Sequence, residues 1–304
     1  MFRILTIFLV ACLAVLSACQ PDPTSKPLVV STIKPLHALV YAIAGGANSP
    51  LELRQLLPDG ASPHHYALKP SDMRTLNSAA VVLRIGSGLE TFLDKPLANL
   101  QAQQRVLTLA DATGIQHLHA RASHGAAMTG HDAHSEDLHV WLNPDNAIAM
   151  SRAIATALGE ADPGHQADYA LNADKLIQRI HETDLSIRQQ LAPLSNKPYL
   201  SFHDAWQHFD THYGLNFAGA VTLDVSRLPG AKHVQDIRKI VEEKQAVCLF
   251  QEPQFSPTLV KTLVEGSDIR IGELDPLGMG LPLDDNTYIT LLRQAAERFQ
   301  QCLQ

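Results

Sequence analysis

The sequence predicts an α/β protein of two lobes, each a mainly parallel sheet flanked by helices, joined by one long rigid helix. Short apolar runs of strand type alternate with amphipathic segments on both sides of residues 163–191, the pattern of parallel βαβ units. Between the two halves, Tyr169, Ala173, Leu176, Ile180, Ile187 and Leu191 form a helical stripe with no proline or glycine after the first turn. About 28 residues at 1.5 Å each reach roughly 40 Å, long for a crossover and suited to a strut between lobes. One stretch breaks the alternation. Residues 117–142 carry six of the 15 histidines and show no apolar period.

Taken in order, the chain starts with Arg3 and a run from Ile4 to Leu16 that is apolar apart from Thr6. The run is too short to span a bilayer and reads as a secretory signal over residues 1–18. Leu16-Ser17-Ala18-Cys19 resembles a bacterial lipobox, with cleavage before Cys19 and a lipid on that cysteine; ordinary small-residue cleavage is the alternative. Residues 19–27 read as a tether after the anchor.

The first lobe is expected over 28–162. "LVVSTI" (28–33) is a strand, and Pro35 opens a helix that Gly45-Gly46 ends. "LELRQLL" (51–57) is a strand broken by Pro58-Asp59-Gly60, and a helix begins at Pro70-Ser71-Asp72. "AAVVLRIG" (79–86) is a strand, "LETFLDKPLANL" a helix and "RVLTLA" (105–110) a strand. The histidine-rich loop is placed at 113–138, where Gly125 and Gly130 and the lack of period point to a functional or disordered segment. Asn143-Pro144-Asp145 caps a helix to about Leu158, and the linking helix occupies 163–192.

The second lobe covers 193–304. "PYLSF" (198–202) is a strand, Asp204 to Tyr213 a helix closed by Gly214, and "NFAGAVTL" a strand. Pro229 to Lys244 is a helix, "AVCLFQ" (246–251) a strand, and Ser256-Pro257 opens a helix to Gly266. "IRIGEL" (269–274) is the last strand, and Asp284 to Leu303 the last helix.

Removing the signal takes away Arg3 and leaves 23 basic against 31 acidic residues, a formal charge of −8. No basic patch points to nucleic acid. Cys248 and Cys302 remain in the mature chain beside Cys19. They form one bridge or stay as two buried thiols, and export favours the bridge.

Ligands of open α/β sheets sit outside the carboxyl ends of the strands. His64, His65, His139, His203, Glu252 and Asp275 all fall there, and together they suggest a metal cleft. Singly each is a weak signal, because a lone loop histidine is usually solvated or capping. His37 on the first helix reads as a partly buried polar residue. His208 and His212 read as surface, and Trp141 and Trp206 as packing beside proposed ligands.

At this point the chain resembles a known family. "LLPDGASPHHYALKPSD" (56–72), "HVWLNPDNAIAMS" (139–151), "FHDAWQHFDTHYG" (202–214), "PGAK" (229–232), "FQEPQFSP" (250–257) and "LDPLG" (274–278) follow one another. Together they resemble the metal-binding proteins of bacterial zinc uptake ABC transporters, of the TroA-like group. The resemblance runs from about residue 28 to the C-terminus and leaves out the histidine-rich insertion. It implies two lobes joined by a long helix with Zn²⁺ between them, delivered to a membrane permease and its ATPase on the extracytoplasmic face. By motif it implies His64, His139 and His203 as ligands, with Asp275 or water fourth. Some zinc members carry a glutamate where this chain has Pro63, and manganese members a carboxylate where it has His203. Imidazole suits Zn²⁺ and carboxylate suits Mn²⁺ better. The resemblance also implies that Cys248 and Cys302 pair. The protein is expected to be a monomer, held to the membrane through Cys19.

Two other classes share these features. A His₃ site with an open water position serves zinc hydrolases, with Glu252 as candidate base; a carboxylate that braces a ligand or caps the helix at Ser256 is the plainer account. A surface-anchored metal buffer or adhesin would keep the site without a transporter. His117, His119, His124, His131 and His134 lie on an aperiodic segment that cannot preorganise a tight site and are expected to bind Zn²⁺ weakly.

Overall fold

Val29 and Val30 are fully buried in strand β1 (Leu28–Ser31) at the centre of the first sheet. The structure is a computed structural model and describes residues 26–121, 136–222 and 231–304. The signal segment, Cys19, most of the tether, and His124, His131 and His134 lie outside the described residues. β1 pairs in parallel with β2 (Glu52–Gln55) on one side and β3 (Val81–Arg84) on the other, and β4 (Arg105–Thr108) follows β3. The order is β2-β1-β3-β4.

The second sheet repeats this pattern. β5 (Pro198–His203) lies between β6 (Asn216–Thr222) and β7 (Cys248–Gln251), with β8 (Arg270–Glu273) outside β7, giving β6-β5-β7-β8, all parallel. In each sheet the chain steps from its first strand to one side and then crosses to the other. The carboxyl ends of β1 and β5 are therefore switch points, where such sheets open a crevice.

Helix α1 (Lys34–Ile43) carries Pro35 in its first turn and stops before Gly45, whose φ of 94° suits only glycine. α2 (Pro70–Ser78) is closed by Asp72, which accepts the Lys69 N–H at 2.8 Å. The segment expected as one helix over 89–100 instead forms a 3₁₀ turn at Thr91–Leu93 and a short α3 (Asp94–Ala98). Glu90 is the reason: its carboxylate turns back onto the N–H groups of Ile85 and Gly86, which holds the start of the segment out of a helix. α4 (Pro144–Ala161) starts at Asn143, whose side chain accepts the Asp145 N–H at 2.8 Å.

α5 (Gln166–Leu191) has 26 residues, with 3₁₀ turns at Pro163–His165 and Ala192–Leu194. All six stripe residues are buried, with Ile177 and Thr183. The helix packs on α1 and α4 of the first lobe and on the last helix of the second. It is thus embedded in both lobes, and one apolar cluster runs continuously from Val29 and Leu83 through Leu176 and Ile180 to Tyr199 and Phe299. A smaller cluster under the second sheet holds Leu200, Val221, Ile237, Leu249 and Val260.

The second lobe is completed by α6 (Gln207–Tyr213), α7 (Ala231–Lys244), α8 (Thr258–Val264) and α9 (Thr287–Leu303). A disulfide joins Cys248 on β7 to Cys302 on α9, with Cα atoms 5.9 Å apart. Gly272 lets them meet: a Cβ there would lie 2.6 Å from the Phe250 ring and 3.0 Å from Cys302 Sγ. Among the described residues no helix is long and apolar enough to cross a membrane.

Candidate metal centre

β5 ends on His203, so the strand itself delivers this side chain to the switch point. His139 is placed by the 3₁₀ turn Val140–Leu142 that leads into the Asn143 cap of α4. His64 lies on the loop after β2, beyond Gly60 (φ 80°), with its N–H 3.3 Å from Ser62 Oγ. The three rings meet between the lobes. Centroids are 5.5 Å apart for His64 and His139, 5.1 Å for His64 and His203, and 5.0 Å for His139 and His203. One ring nitrogen from each lies within 4.8 Å of the others, the one such grouping of three among the described residues.

Carboxylates stand behind two of the rings. His139 Nδ1 is 2.6 Å from Asp137 Oδ1, which also accepts the His139 N–H at 3.0 Å. His203 Nδ1 is 3.4 Å from Glu252 Oε1. A proton held on Nδ1 by a carboxylate leaves Nε2 as the free donor atom. Burial, then the neighbouring His139 and His203, pushes His64 down to about 2. Burial works against charge on His203, but the carboxylates of Glu252, Asp204 and Asp137 together outweigh it and raise this histidine. Burial alone would raise Asp137, and His139 holds it below the usual carboxylate range instead. Trp141 lies 5.3 Å from the His139 ring, donates Nε1–H to Pro276 O at 2.8 Å, and receives the Tyr288 hydroxyl on its carbonyl at 2.6 Å. Its packing role is also a tie between lobes. Pro63, Phe255 and Leu277 close the space around the imidazoles.

With the fold and this cluster in place, the comparisons with known proteins are specific. The family of the zinc-uptake complex component A, periplasmic, matches residues 29–302. The chain belongs to this family. It is 36% identical to the high-affinity zinc uptake system protein ZnuA of Brucella abortus (strain 2308), over 90% of this chain and 91% of that one. It is 34% identical to the protein of the same name in Yersinia pestis, over 93% of each chain. Among solved structures, the periplasmic zinc-binding protein TroA from Treponema pallidum shares the fold, with a TM-score of 0.79 at 23% identity over 92% of this chain and 99% of that one.

Other residues singled out in this family member fall elsewhere. Asp275 does not join the imidazole cluster. Its Oδ1 accepts the Leu277 N–H at 2.9 Å and the Gln254 amide at 2.6 Å, and its Oδ2 accepts the Met279 N–H. The carboxylate is turned onto its own loop, as an Asx turn requires, and shapes the wall formed by Pro276 and Leu277. His65 is exposed, its ring 6.2 Å from His64 and outside the cluster. His117 lies at the surface with Nδ1 2.9 Å from Glu136, and His119 bridges Glu136 through its backbone. His37 is buried with Nδ1 2.7 Å from Ser31 Oγ, and burial, then Lys34, brings it down to about 4.

Two expectations are corrected. His208 is fully buried, donating Nε2–H to Asp137 O at 2.9 Å, and the His212 ring is nearly enclosed with Nε2 2.7 Å from Asp184 Oδ1. Spacing along α6 shows only that neither ring reaches the metal cleft. It does not show that the insertion and α5 cover that helix. Asp137 was not singled out as a brace for His139, although an acid two residues before a proposed ligand is a short-range signal for one.

Proposed function

We propose that this protein is the extracytoplasmic zinc-binding component of an ABC importer, taking Zn²⁺ as cargo between its lobes and passing it to a membrane permease driven by an ATPase. The observation that carries this is the meeting of His64, His139 and His203 with their ring nitrogens within 4.8 Å. The relatives are named as high-affinity zinc uptake proteins, which agrees with it. Three neutral imidazoles suit a tetrahedral d¹⁰ ion, held at Zn–N distances of about 2 Å. Asp275 is occupied by its loop, so water is proposed as the fourth ligand.

Two carboxylates, Asp137 and Glu252, stand behind the imidazoles, a setting that suits a divalent cation. Glu252 Oε1 lies 3.4 Å from His203 Nδ1, behind a proposed ligand, which favours carriage over catalysis. Residues 1–18 are read as the signal and Cys19 as the lipid-bearing first residue of the mature chain. Residues 19–27 would then tether lobes 28–162 and 193–304, linked by 163–192, in a monomer on the outer face of a membrane.

Native mass spectrometry of the mature protein, stripped of metal and offered equal Zn²⁺ and Mn²⁺, tests this reading. One retained zinc per chain is expected. Preference for manganese, or no tightly held metal, would overturn it.

A further inference from the structure

The histidine-rich insertion has a stem. Asp137 donates its N–H to Leu118 O at 2.8 Å, and His119 and Glu136 form an antiparallel bridge. Just before the stem the chain is fastened to the first lobe. The Gln116 N–H donates to Asn146 Oδ1 on α4 at 2.7 Å, and Asn146 Nδ2 returns to Gln116 O at 3.2 Å.

The stem itself is fastened to the second lobe. Arg121 donates Nη1–H to Asp204 Oδ1 at 2.8 Å and Nη2–H to Asp210 Oδ1 at 2.6 Å. Its guanidinium carbon lies 3.9 Å from the centroid of the Phe217 ring. Tyr199 donates to the other oxygen of Asp210 at 2.8 Å. Gln207 Nε2 donates to His119 O at 2.9 Å, and His208 reaches Asp137 O on the return side of the stem.

The two carboxylates have side chains only 8% and 1% exposed. Carboxylates this deep need a partner charge, and a planar fork reaches two of them at once where an ammonium would not. The position matters more than the charge. Asp204 is the residue after His203, and Asp137 braces His139. One stem therefore touches the support of a histidine from each lobe.

We propose that Arg121 is a positioning residue for metal binding: from the stem of the insertion it clamps Asp204 to Asp210 at the start of α6 and holds His203 in register with His139, which slows the release of bound zinc. This rests on reading the cleft as a zinc site. The clamp is a contact between lobes and does not involve the histidines of the insertion.

Arg121→Ala alone strands two buried carboxylates and risks misfolding. The informative protein is the full mature chain carrying Arg121→Ala, Asp204→Asn and Asp210→Asn, in which no charge is stranded. Each protein is loaded with one equivalent of Zn²⁺ and mixed with excess chromogenic chelator in a stopped-flow instrument, with melting of the metal-free form followed in parallel. The triple variant should melt close to wild type yet release zinc at least about tenfold faster, the lower end of what loss of an outer partner costs a metal site. A folded triple variant with the wild-type release rate would overturn the clamp and show that Arg121 only neutralises charge. If the triple variant does not fold, Arg121→Lys decides: faster release supports the clamp, and unchanged release removes it. A wild-type protein that holds no zinc would instead overturn the zinc reading, and this inference with it.

Discussion

The two sheets share one strand order, yet the lobes are fastened differently. In the first lobe the fully buried Glu90 carboxylate accepts the N–H groups of Ile85 and Gly86, at 2.8 and 3.0 Å, and the Thr32 hydroxyl, stitching the end of β1 to the end of β3. In the second lobe the Cys248–Cys302 bridge pins β7 to α9. The same topology thus has a proton-dependent fastening on one side and a redox-dependent one on the other. The lobes also supply the cleft differently. The second gives a histidine from the end of a strand, while the first gives two from loops. The loop of His64 is steadied by Asp59, which is paired with Lys34, and Lys34 also donates to Leu281 O at 2.9 Å across the lobes.

The largest expected effect breaks the site itself. His64→Ala, His139→Ala and His203→Ala should each weaken Zn²⁺ binding by more than the 10–100-fold usual for an outer partner. Asp137→Asn and Glu252→Gln should fall within that range, and Asp275→Ala below it. Calorimetry with chelator competition ranks them. Wild-type affinity in any of the three histidine variants would remove that residue from the site.

Fastening of the second lobe is tested by reduction. Opening the bridge should lower stability by about 2–4 kcal/mol, the usual range for a native disulfide. Urea unfolding with and without reductant measures it, and an unchanged midpoint would show that Gly272 packing alone holds β7 to α9.

The first lobe should respond to pH. Burial raises Glu90 from 4.5 to about 7 against the pull of its three donors. The folded state then holds a proton that the unfolded chain has lost, so this contribution is full below pH 4.5 and is lost as pH rises through 7. Relative to Glu90→Gln, the wild type should lose on the order of 2 kcal/mol between pH 5 and 7. Parallel pH profiles for the two proteins would show that Glu90 stays ionised and that the contrast between the lobes is wrong.

The smallest effect is expected in the insertion. Removing residues 124–134 while keeping Arg121 and the stem should leave the tight site unchanged and reduce weaker additional zinc binding. A loss of the tight site in a protein folded by circular dichroism would tie those residues to the cleft.

Much of this was legible because it is periodic or local. The stripe on α5, the proline and glycine boundaries of α1, and the Asn143 cap all follow from spacing. The meeting of His64, His139 and His203 was not, since their segments are far apart in sequence and only ordered motifs joined them. The loop contacts of Asp275 were not legible from its place in a motif, although an aspartate two residues before a backbone N–H is an Asx-turn signal. Arg121 carried no signal: a single basic residue on a polar loop has no period to betray a buried partner in the other lobe. Glu90 was hidden inside a segment whose composition favoured helix.

The stem formed by Leu118, His119, Glu136 and Asp137 has a consequence for how this chain can change over time. It fixes the two ends of the insertion side by side, through the Asp137 N–H on Leu118 O and the bridge between His119 and Glu136. Closing a loop between fixed ends costs entropy that grows only with the logarithm of its length, about 0.6 kcal/mol for each doubling. Closure itself thus sets little penalty on adding or losing histidines in blocks there, while Asp137 and His139 keep a fixed spacing in which one carboxylate oxygen meets both the His139 N–H and Nδ1.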